Sequence, residues 1–124
     1  MAASYASSSV IAEDVIRRVV ERFYAEVRKD PLLAPVFEAH IADWAAHNDR
    51  MCDFWSSIMN GTGRYSGRPL EVHRRIGSVT DSHFERWVNL FMEICETSCD
   101  SQDRDRLVTA AQRMRTAMSH NLRA

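Results

Sequence analysis

A histidine among arginines is the first group in this sequence that suggests chemistry. His73 lies one turn into a short segment that Pro69 can begin as a helix and Gly77 can end. Guanidinium groups are good partners for carboxylates, and the arginines nearby are Arg64, Arg68, Arg74 and Arg75. We interpret His73 as a candidate iron ligand beside a dianionic cofactor. A solvated basic patch explains the same residues, so the decision rests on the helices that would form the other walls of a pocket.

Three polar side chains fall on otherwise apolar helix faces. Tyr24, His47 and Trp87 each need a hydrogen-bond partner if they are buried. One small polar ligand would serve all three, whereas local partners would satisfy each of them separately. His73 follows His47 by 26 positions on a separate short helix. The two imidazoles are therefore able to face each other across a flat cofactor, one binding iron and the other lining the distal side.

Other kinds of site fit the sequence less well. His40 and His47 lack the i, i+4 spacing of two zinc ligands on one helical face, and no Glu or Cys stands at a matching position. The glycine-rich run 61–67 follows a helix and lacks the Gly-Lys-Ser/Thr ending of a phosphate loop, which argues against nucleotide binding. A serine hydrolase would need a nucleophile elbow, which the sequence lacks. A thiol enzyme at Cys52 would need a histidine partner that the sequence cannot reveal.

The elements that must position these groups are predicted from apolar spacing. From Val15, apolar residues recur every three to four positions and predict a helix that ends near Asp30, with the buried stripe Ile16, Val19, Val20, Phe23, Tyr24 and Val27. Two prolines and several apolar residues within 30–37 predict a short irregular turn folded onto the core. Asp43 is a good N-cap for a second long helix that runs to about Asn60. Its predicted apolar face is Trp44, His47, Met51, Phe54, Trp55 and Ile58.

Two more helices follow the segment that carries His73. Thr80 is the predicted cap of a third long helix, whose apolar face is Phe84, Trp87, Val88, Phe91, Ile94 and Cys95. Ser101 is the predicted cap of the last helix, whose inward face is Leu107, Val108, Ala111, Met114, Met118 and Leu122. The predicted fold class is all-α, with four long helices and one short insert.

Length and composition limit the remaining possibilities. The 124 residues fit one domain, which we place at 11–124 after a flexible tail at 1–10. The hydrophobic content of 45% is typical of a soluble globular protein, and no apolar run approaches the ~20 residues that span a bilayer. A net charge of −1 gives no general attraction to nucleic acid. We interpret five arginines of the last helix as a solvated face: Arg104, Arg106, Arg113, Arg115 and Arg123.

The first ten residues and the cysteines indicate the compartment. The start of the chain has neither the basic nor the apolar region of a secretion signal, so a cytoplasmic location is expected. Three cysteines cannot all pair, and Cys95 and Cys99 lie one helical turn apart, which suits a disulfide badly. We expect reduced thiols.

Several motifs taken together resemble the third group of the truncated haemoglobins. They are Phe23-Tyr24-x-x-Val27-Arg28-x-Asp30-Pro31-Leu32-Leu33-x-Pro35-Val36-Phe37, Asp43-Trp44-x-x-His47, Phe54-Trp55, Gly61-x-Gly63-x-Tyr65-x-Gly67-x-Pro69, and His73 followed by His83-Phe84-x-Arg86-Trp87. The resemblance covers roughly residues 12–95, about two-thirds of the chain. It departs from the family at Ala34, where glycine is frequent, and at Asn48, where leucine is common.

The resemblance implies a two-over-two globin fold around b-type haem. It makes His73 similar to the proximal iron ligand, and Tyr24, His47 and Trp87 similar to the polar distal residues. Phe37, Met51 and Phe54 would contact the porphyrin. Arg64, Tyr65 and Arg68 are candidates for binding the haem propionates.

The expected function is reversible binding of oxygen, and of other diatomic ligands such as NO and CO, in a polar distal pocket. An enzyme with peroxidase-like or nitric oxide dioxygenase activity would use the same residues, and sustained turnover would need an unidentified reductase. A non-haem helical interaction module is the third alternative. No nucleic acid or membrane partner is expected.

Overall fold

Helices account for most of the chain that the structure describes. The structure is a computed structural model that describes residues 10–67 and 79–123. The helices within these ranges are α1 (Glu13–Val27), α2 (Ala34–His40), α3 (Trp44–Asn60), α4 (Asp81–Ser98) and α5 (Ser101–Arg123). The segment predicted to carry the His73 helix lies outside the described residues.

The long helices form two pairs. Helix α1 packs on α3, and α4 packs on α5; contacts of α1 with α4 and of α3 with α5 join the pairs. The predicted stripe of α1 is confirmed, since Ile16, Val19, Val20, Phe23, Tyr24 and Val27 are all buried. Within the described ranges, no helix is both long and apolar enough to cross a lipid bilayer.

A cluster of aromatic rings joins the two pairs in the core. Phe91 of α4 stacks on Trp55 of α3, with ring centroids 4.9 Å apart and an interplanar angle of 9°. It also stacks on Trp87, at 5.8 Å and 6°. Phe23 of α1 meets Phe91 edge to face at 5.3 Å. These contacts fix the position of Trp87, one of the three polar residues singled out from the sequence.

Two predicted helix starts are confirmed. The Asp43 carboxylate accepts a hydrogen bond from the backbone N–H of Ala46 at 3.1 Å and caps α3. At the start of α4, Thr80 and His83 form a capping box in which the Thr80 N–H donates to His83 Nδ1 at 3.1 Å. Helix α3 ends at Asn60 and is capped by Gly61, whose φ of 66° is left-handed and suits glycine.

The predicted irregular turn at 30–37 was wrong. Helix α1 ends at Val27, three residues earlier than predicted, and Ala34–His40 forms helix α2. Only Pro31 lies in the turn, because Pro35 stands in the first turn of α2, where its missing N–H costs no helical hydrogen bond.

Three smaller predictions also need correction. Ser101 is the first residue of α5 rather than its cap, since the Asp100 side chain accepts from the N–H of Asp103 at 2.9 Å. Ile58 belongs to no buried face, because it is 49% exposed. Arg106 is not part of a solvated face, since its guanidinium is half-buried and donates to the carbonyl of Met59 at 3.1 Å.

Candidate functional site

A cavity of about 580 Å³ lies between the helices. All five described helices and the stretch after α3 contribute residues to its wall, which is mainly apolar. Most of the predicted site residues line this cavity: Tyr24, Phe37, His47, Met51, Phe54, Arg64, Tyr65 and Trp87. His73 and Arg68 lie outside the described residues.

Tyr24 is the central polar residue of the cavity. It is only 5% exposed, and its ring lies 5.9 Å from Phe37 and 4.6 Å from His47, measured between centroids. Burial raises the pKa of the phenol far above its ordinary value of 10, although a hydrogen bond with the side chain of Trp87 opposes that increase. The hydroxyl is therefore protonated at neutral pH.

The hydrogen bond between Tyr24 and Trp87 has a defined donor and acceptor. An indole N–H is only a donor, so Trp87 donates to the phenolic oxygen of Tyr24. Within residues 10–67 and 79–123 the Tyr24 hydroxyl donates to no acceptor, so its hydrogen is available to a ligand in the cavity. Trp87 and Tyr24 thus form a hydrogen-bonded chain, in which the indole polarises the phenol, rather than acting as two separate donors.

His47 is the third polar residue of the cavity and contacts Tyr24. Its ring is half-buried and perpendicular to the Tyr24 ring, at an interplanar angle of 89°. Burial lowers the pKa of His47, a hydrogen bond with Asn48 raises it, and the nearby positive charge of Arg50 lowers it; the net shift is downward from 6.5. The imidazole is neutral at pH 7. Its Nδ1 lies 3.4 Å from Asn48 Oδ1, so a proton on Nδ1 leaves Nε2 as an acceptor.

Charged groups stand at the exposed edge of the cavity. Arg64 is paired with Glu13, with Nη1 and Oε1 3.2 Å apart, and both side chains are about half exposed. Glu13 also accepts hydrogen bonds from Ser56 at 2.9 Å and from Asn60 at 3.1 Å. Arg64 is thus held by a polar network between α1 and the end of α3. Arg50 lines the same edge.

Tyr65 closes one side of the cavity against the glycine-rich stretch. Its backbone N–H donates to Ser57 Oγ at 2.9 Å, and its ring meets Phe54 edge to face at 5.1 Å. The Tyr65 hydroxyl lies so close to Gly67 that a Cβ on Gly67 would collide with it. Glycine at position 67 is therefore required for this ring to occupy its place.

Sequence reasoning assigned no role in the site to two side chains. Asn48 is the hydrogen-bond partner of His47, and a polar residue directly after a half-buried histidine was the available signal. Trp44 contacts both Tyr24, at 6.1 Å, and His47, at 5.5 Å between centroids. Arg28 covers the Trp44 ring at 4.7 Å, a cation–π contact between α3 and the end of α1. No local pattern predicts that contact.

Comparison with known proteins identifies the family. The sequence model of the bacterial-like globins matches residues 9–120. The chain belongs to the bacterial-like globin family. A group 3 truncated haemoglobin from Campylobacter jejuni subsp. jejuni is 34% identical to this globin over 87 residues, which are 67% of this chain and 68% of that protein. The crystal structure of a group III truncated haemoglobin from Campylobacter jejuni matches it with a TM-score of 0.87 and 28% identity, over 91% of this chain and 92% of the other.

These comparisons confirm the predicted resemblance and the truncated globin fold. This globin is a haem protein that takes haem b as its cofactor and binds diatomic gas ligands. The alternative of a non-haem interaction module is thereby excluded.

The described part of the cavity fits that cofactor. Its volume falls within the ~300–1,000 Å³ of most cofactor pockets, and apolar side chains form most of its wall. Haem is a flat ring system with charged propionates at one edge. Inside the cavity, the Tyr24 hydroxyl offers a hydrogen-bond donor to a ligand on the iron. At the exposed edge, the cations offer positive charge to the propionates.

Proposed function

We propose that this globin binds oxygen reversibly and retains it through a hydrogen bond from the Tyr24 hydroxyl. The supporting observation is the burial of that hydroxyl in an apolar cavity, with Trp87 donating to its oxygen and its own hydrogen still available. A ligand that develops partial negative charge gains more from this donor than an apolar one does. The specificity we propose is therefore for oxygen over carbon monoxide.

When bound, haem supplies the iron that takes up a diatomic gas. We assign its proximal ligand to His73, which lies outside the described residues, on the ground of the motif in which it stands. Tyr24, His47 and Trp87 are then the distal set. Phe37, Met51 and Phe54 line the cavity and would pack against the porphyrin.

His47 restricts the orientation of Tyr24 and provides a hydrogen-bond acceptor in the cavity. The neutral imidazole lies against the edge of Tyr24 and limits the directions in which the phenol can turn. Since Asn48 occupies Nδ1, the Nε2 atom is free to accept a hydrogen bond from a protonated ligand or from water. We propose that His47 tunes ligand retention, whereas Tyr24 dominates it.

Arg64 and Tyr65 are the described candidates for the propionates, together with Arg68 outside the described residues. Arg64 lines the cavity but already pairs with Glu13. A propionate would share this guanidinium with Glu13, so we expect only a modest contribution from Arg64. A cytoplasmic location and a reductase partner are further proposals. The tail predicted at 1–10 lies almost wholly outside the described residues.

A peroxidase-like activity is the second candidate, and the neutral state of His47 favours it. A neutral imidazole whose Nε2 is an acceptor can take a proton from a hydroperoxide, as a general base must. The reaction would also need an electron donor. Catalytic turnover of hydrogen peroxide with a reducing dye, compared between wild type and His47→Leu, separates this candidate from simple ligand binding.

Stopped-flow replacement of oxygen by carbon monoxide tests the main proposal. We expect a ferrous protein that oxygenates reversibly and releases oxygen slowly. Rapid oxygen release that is the same in wild type and in Tyr24→Phe would refute the proposed role of the cavity.

A further inference from the structure

An ion pair between a buried carboxylate and a half-exposed arginine joins the turn after α1 to helix α4. Asp30 is 6% exposed, and its Oδ1 accepts a hydrogen bond from Arg86 Nε at 2.7 Å. Its Oδ2 accepts from the backbone N–H of Leu32 at 3.1 Å and of Leu33 at 3.0 Å. Both carboxylate oxygens are therefore engaged, one by the turn itself and one by the distant helix.

The backbone of Asp30 adds two further connections. Its N–H donates to the carbonyl of Val27, the last residue of α1, at 3.1 Å, and its carbonyl accepts from the N–H of Ala34, the first residue of α2, at 2.9 Å. The end of α1 and the start of α2 are thus fixed to one residue, and Arg86 fixes α4 to the same residue.

The groups that meet in the cavity stand on these same elements. Tyr24 lies in the last two turns of α1, Leu33 of the turn lines the cavity, and Trp87 directly follows Arg86 on α4. Trp87 and Tyr24 both meet the ring of Phe23 edge to face, with centroids 5.8 and 4.8 Å from it, so the indole and the phenol are neighbours. A displacement of about 1 Å is enough to weaken a hydrogen bond between them severely. The rotation and height of α4 relative to α1 therefore decide whether Trp87 donates to Tyr24.

We propose that Arg86 and Asp30 are positioning residues that hold the indole of Trp87 against the hydroxyl of Tyr24 and thereby set the rate of oxygen release. The inference rests on the proposed function. Burial of the Asp30 carboxyl opposes its ionisation, yet Arg86 and the two backbone N–H groups outweigh that effect and hold its pKa below the ordinary value of 3.8. The ion pair is therefore intact at neutral pH.

The chain offers matched variants for the test. Arg86→Met removes the donor, whereas Arg86→Gln keeps an N–H at the position of Nε, because both atoms follow three carbons of the side chain. Glu85→Gln is the control, since Glu85 is the preceding residue of α4 and its exposed side chain pairs with Arg115 at 3.6 Å. If Arg86→Met fails to fold, Asp30→Asn replaces it, because that variant keeps the side-chain shape and removes the charge.

The measurements are made on the haem-loaded protein. We expect Arg86→Met to release oxygen about two- to tenfold faster, the range that corresponds to the net contribution of one neutral hydrogen bond. Arg86→Gln and Glu85→Gln should remain close to wild type. In a Trp87→Phe background, Arg86→Met should have no further effect, since its action passes through Trp87.

A spectroscopic readout accompanies the kinetics. The chain has three tryptophans, so the ¹H–¹⁵N spectrum of the ferrous carbonyl protein should contain three indole signals, of which Trp87→Phe removes one. That signal should move in Arg86→Met, be restored in Arg86→Gln, and stay unchanged in Glu85→Gln.

The possible failures are distinct. Unchanged oxygen release in Arg86→Met, combined with faster release in Trp87→Phe, would overturn the positioning role and leave the proposed function intact. Equal acceleration by Arg86→Met with and without Trp87 would also overturn it. Unchanged release in Trp87→Phe itself would refute the donor chain, and the positioning role with it.

Discussion

The imidazole of His47 meets the phenol ring of Tyr24 edge to face, with ring centroids 4.6 Å apart and an interplanar angle of 89°. This contact joins α1 to α3 inside the cavity. It brings a neutral base and a neutral acid to the wall of the same mainly apolar cavity.

Removal of the Tyr24 hydroxyl should mainly affect oxygen. Tyr24→Phe keeps the ring and its contacts with Phe37 and His47 but removes the donor. A hydrogen bond to a partly charged acceptor is worth about 1.5 to 3 kcal/mol, so oxygen should dissociate roughly 10 to 150 times faster. Carbon monoxide serves as the matched control, because its dissociation rate should change much less. Stopped-flow ligand replacement measures both rates.

Movement of His47 or of a water can hide this effect by replacing the lost hydrogen bond. The double variant Tyr24→Phe/His47→Leu should therefore be measured beside the single one. If both variants release oxygen at the wild-type rate, Tyr24 is a core residue with a local partner and does not stabilise the ligand.

Replacement of the two candidate iron ligands should have unequal effects. His73→Ala should lose haem or retain it poorly, since the proximal bond is removed. His47→Ala should keep haem and change only ligand binding. Absorption spectra of the ferric, ferrous and carbonyl forms distinguish these outcomes. A normal five-coordinate ferrous spectrum in His73→Ala, with haem loss in His47→Ala, would reverse the two assignments.

Loss of the arginines should loosen haem only slightly. A partly exposed ion pair contributes about 0 to 1 kcal/mol, so the variant Arg64→Ala/Arg68→Ala should transfer haem to an acceptor protein at most several times faster, with an unchanged axial ligand. Glu13→Gln is the control for Arg64, because it breaks the Arg64–Glu13 pair without removing the cation. If Arg64 binds a propionate, Glu13→Gln should not accelerate transfer. If the double variant transfers haem at the wild-type rate, neither Arg64 nor Arg68 binds a propionate.

Acid should destabilise the protein through His47 before it affects Asp30. The folded-state pKa of His47 lies below 6.5, because burial outweighs the opposing bond to Asn48 and Arg50 adds repulsion. The unfolded chain then binds the proton first, so stability present above pH 6.5 falls as the pH decreases below it. Asp30 has a lowered folded pKa, and its contribution is lost only below pH 3.8.

Denaturant unfolding of the apoprotein between pH 7 and pH 5 measures this dependence without haem. The free energy of unfolding of His47→Leu should vary less with pH in that range than that of wild type. Asp30→Asn should keep the wild-type slope there. Identical slopes for wild type and His47→Leu would contradict the lowered pKa of His47.

Four of the five described helices and the polar residues that line the cavity could be predicted from the sequence. The stripe of α1, the cap at Asp43 and the capping residue Thr80 depend on neighbours within one or two turns, and such short-range patterns are readable in a linear sequence. Tyr24, His47 and Trp87 were recognisable because a polar group on an apolar face needs a partner. Helix α2 was missed because proline occurs both in loops and in the first turn of a helix, and the sequence alone does not distinguish the two positions.

How these residues combine depends on the packing of the helices and could not be predicted from the sequence. Trp87 donates to Tyr24 rather than acting alone, Glu13 holds Arg64 across 51 positions, and Asp30 binds Arg86 across 56 positions. Each of these contacts joins residues from different elements, and its geometry follows from how α1, α3 and α4 pack around the aromatic core. The donor–acceptor distance of a hydrogen bond can vary by only a few tenths of an ångström. Helix packing determines distances on that scale, whereas the periodicity of apolar residues in a sequence does not.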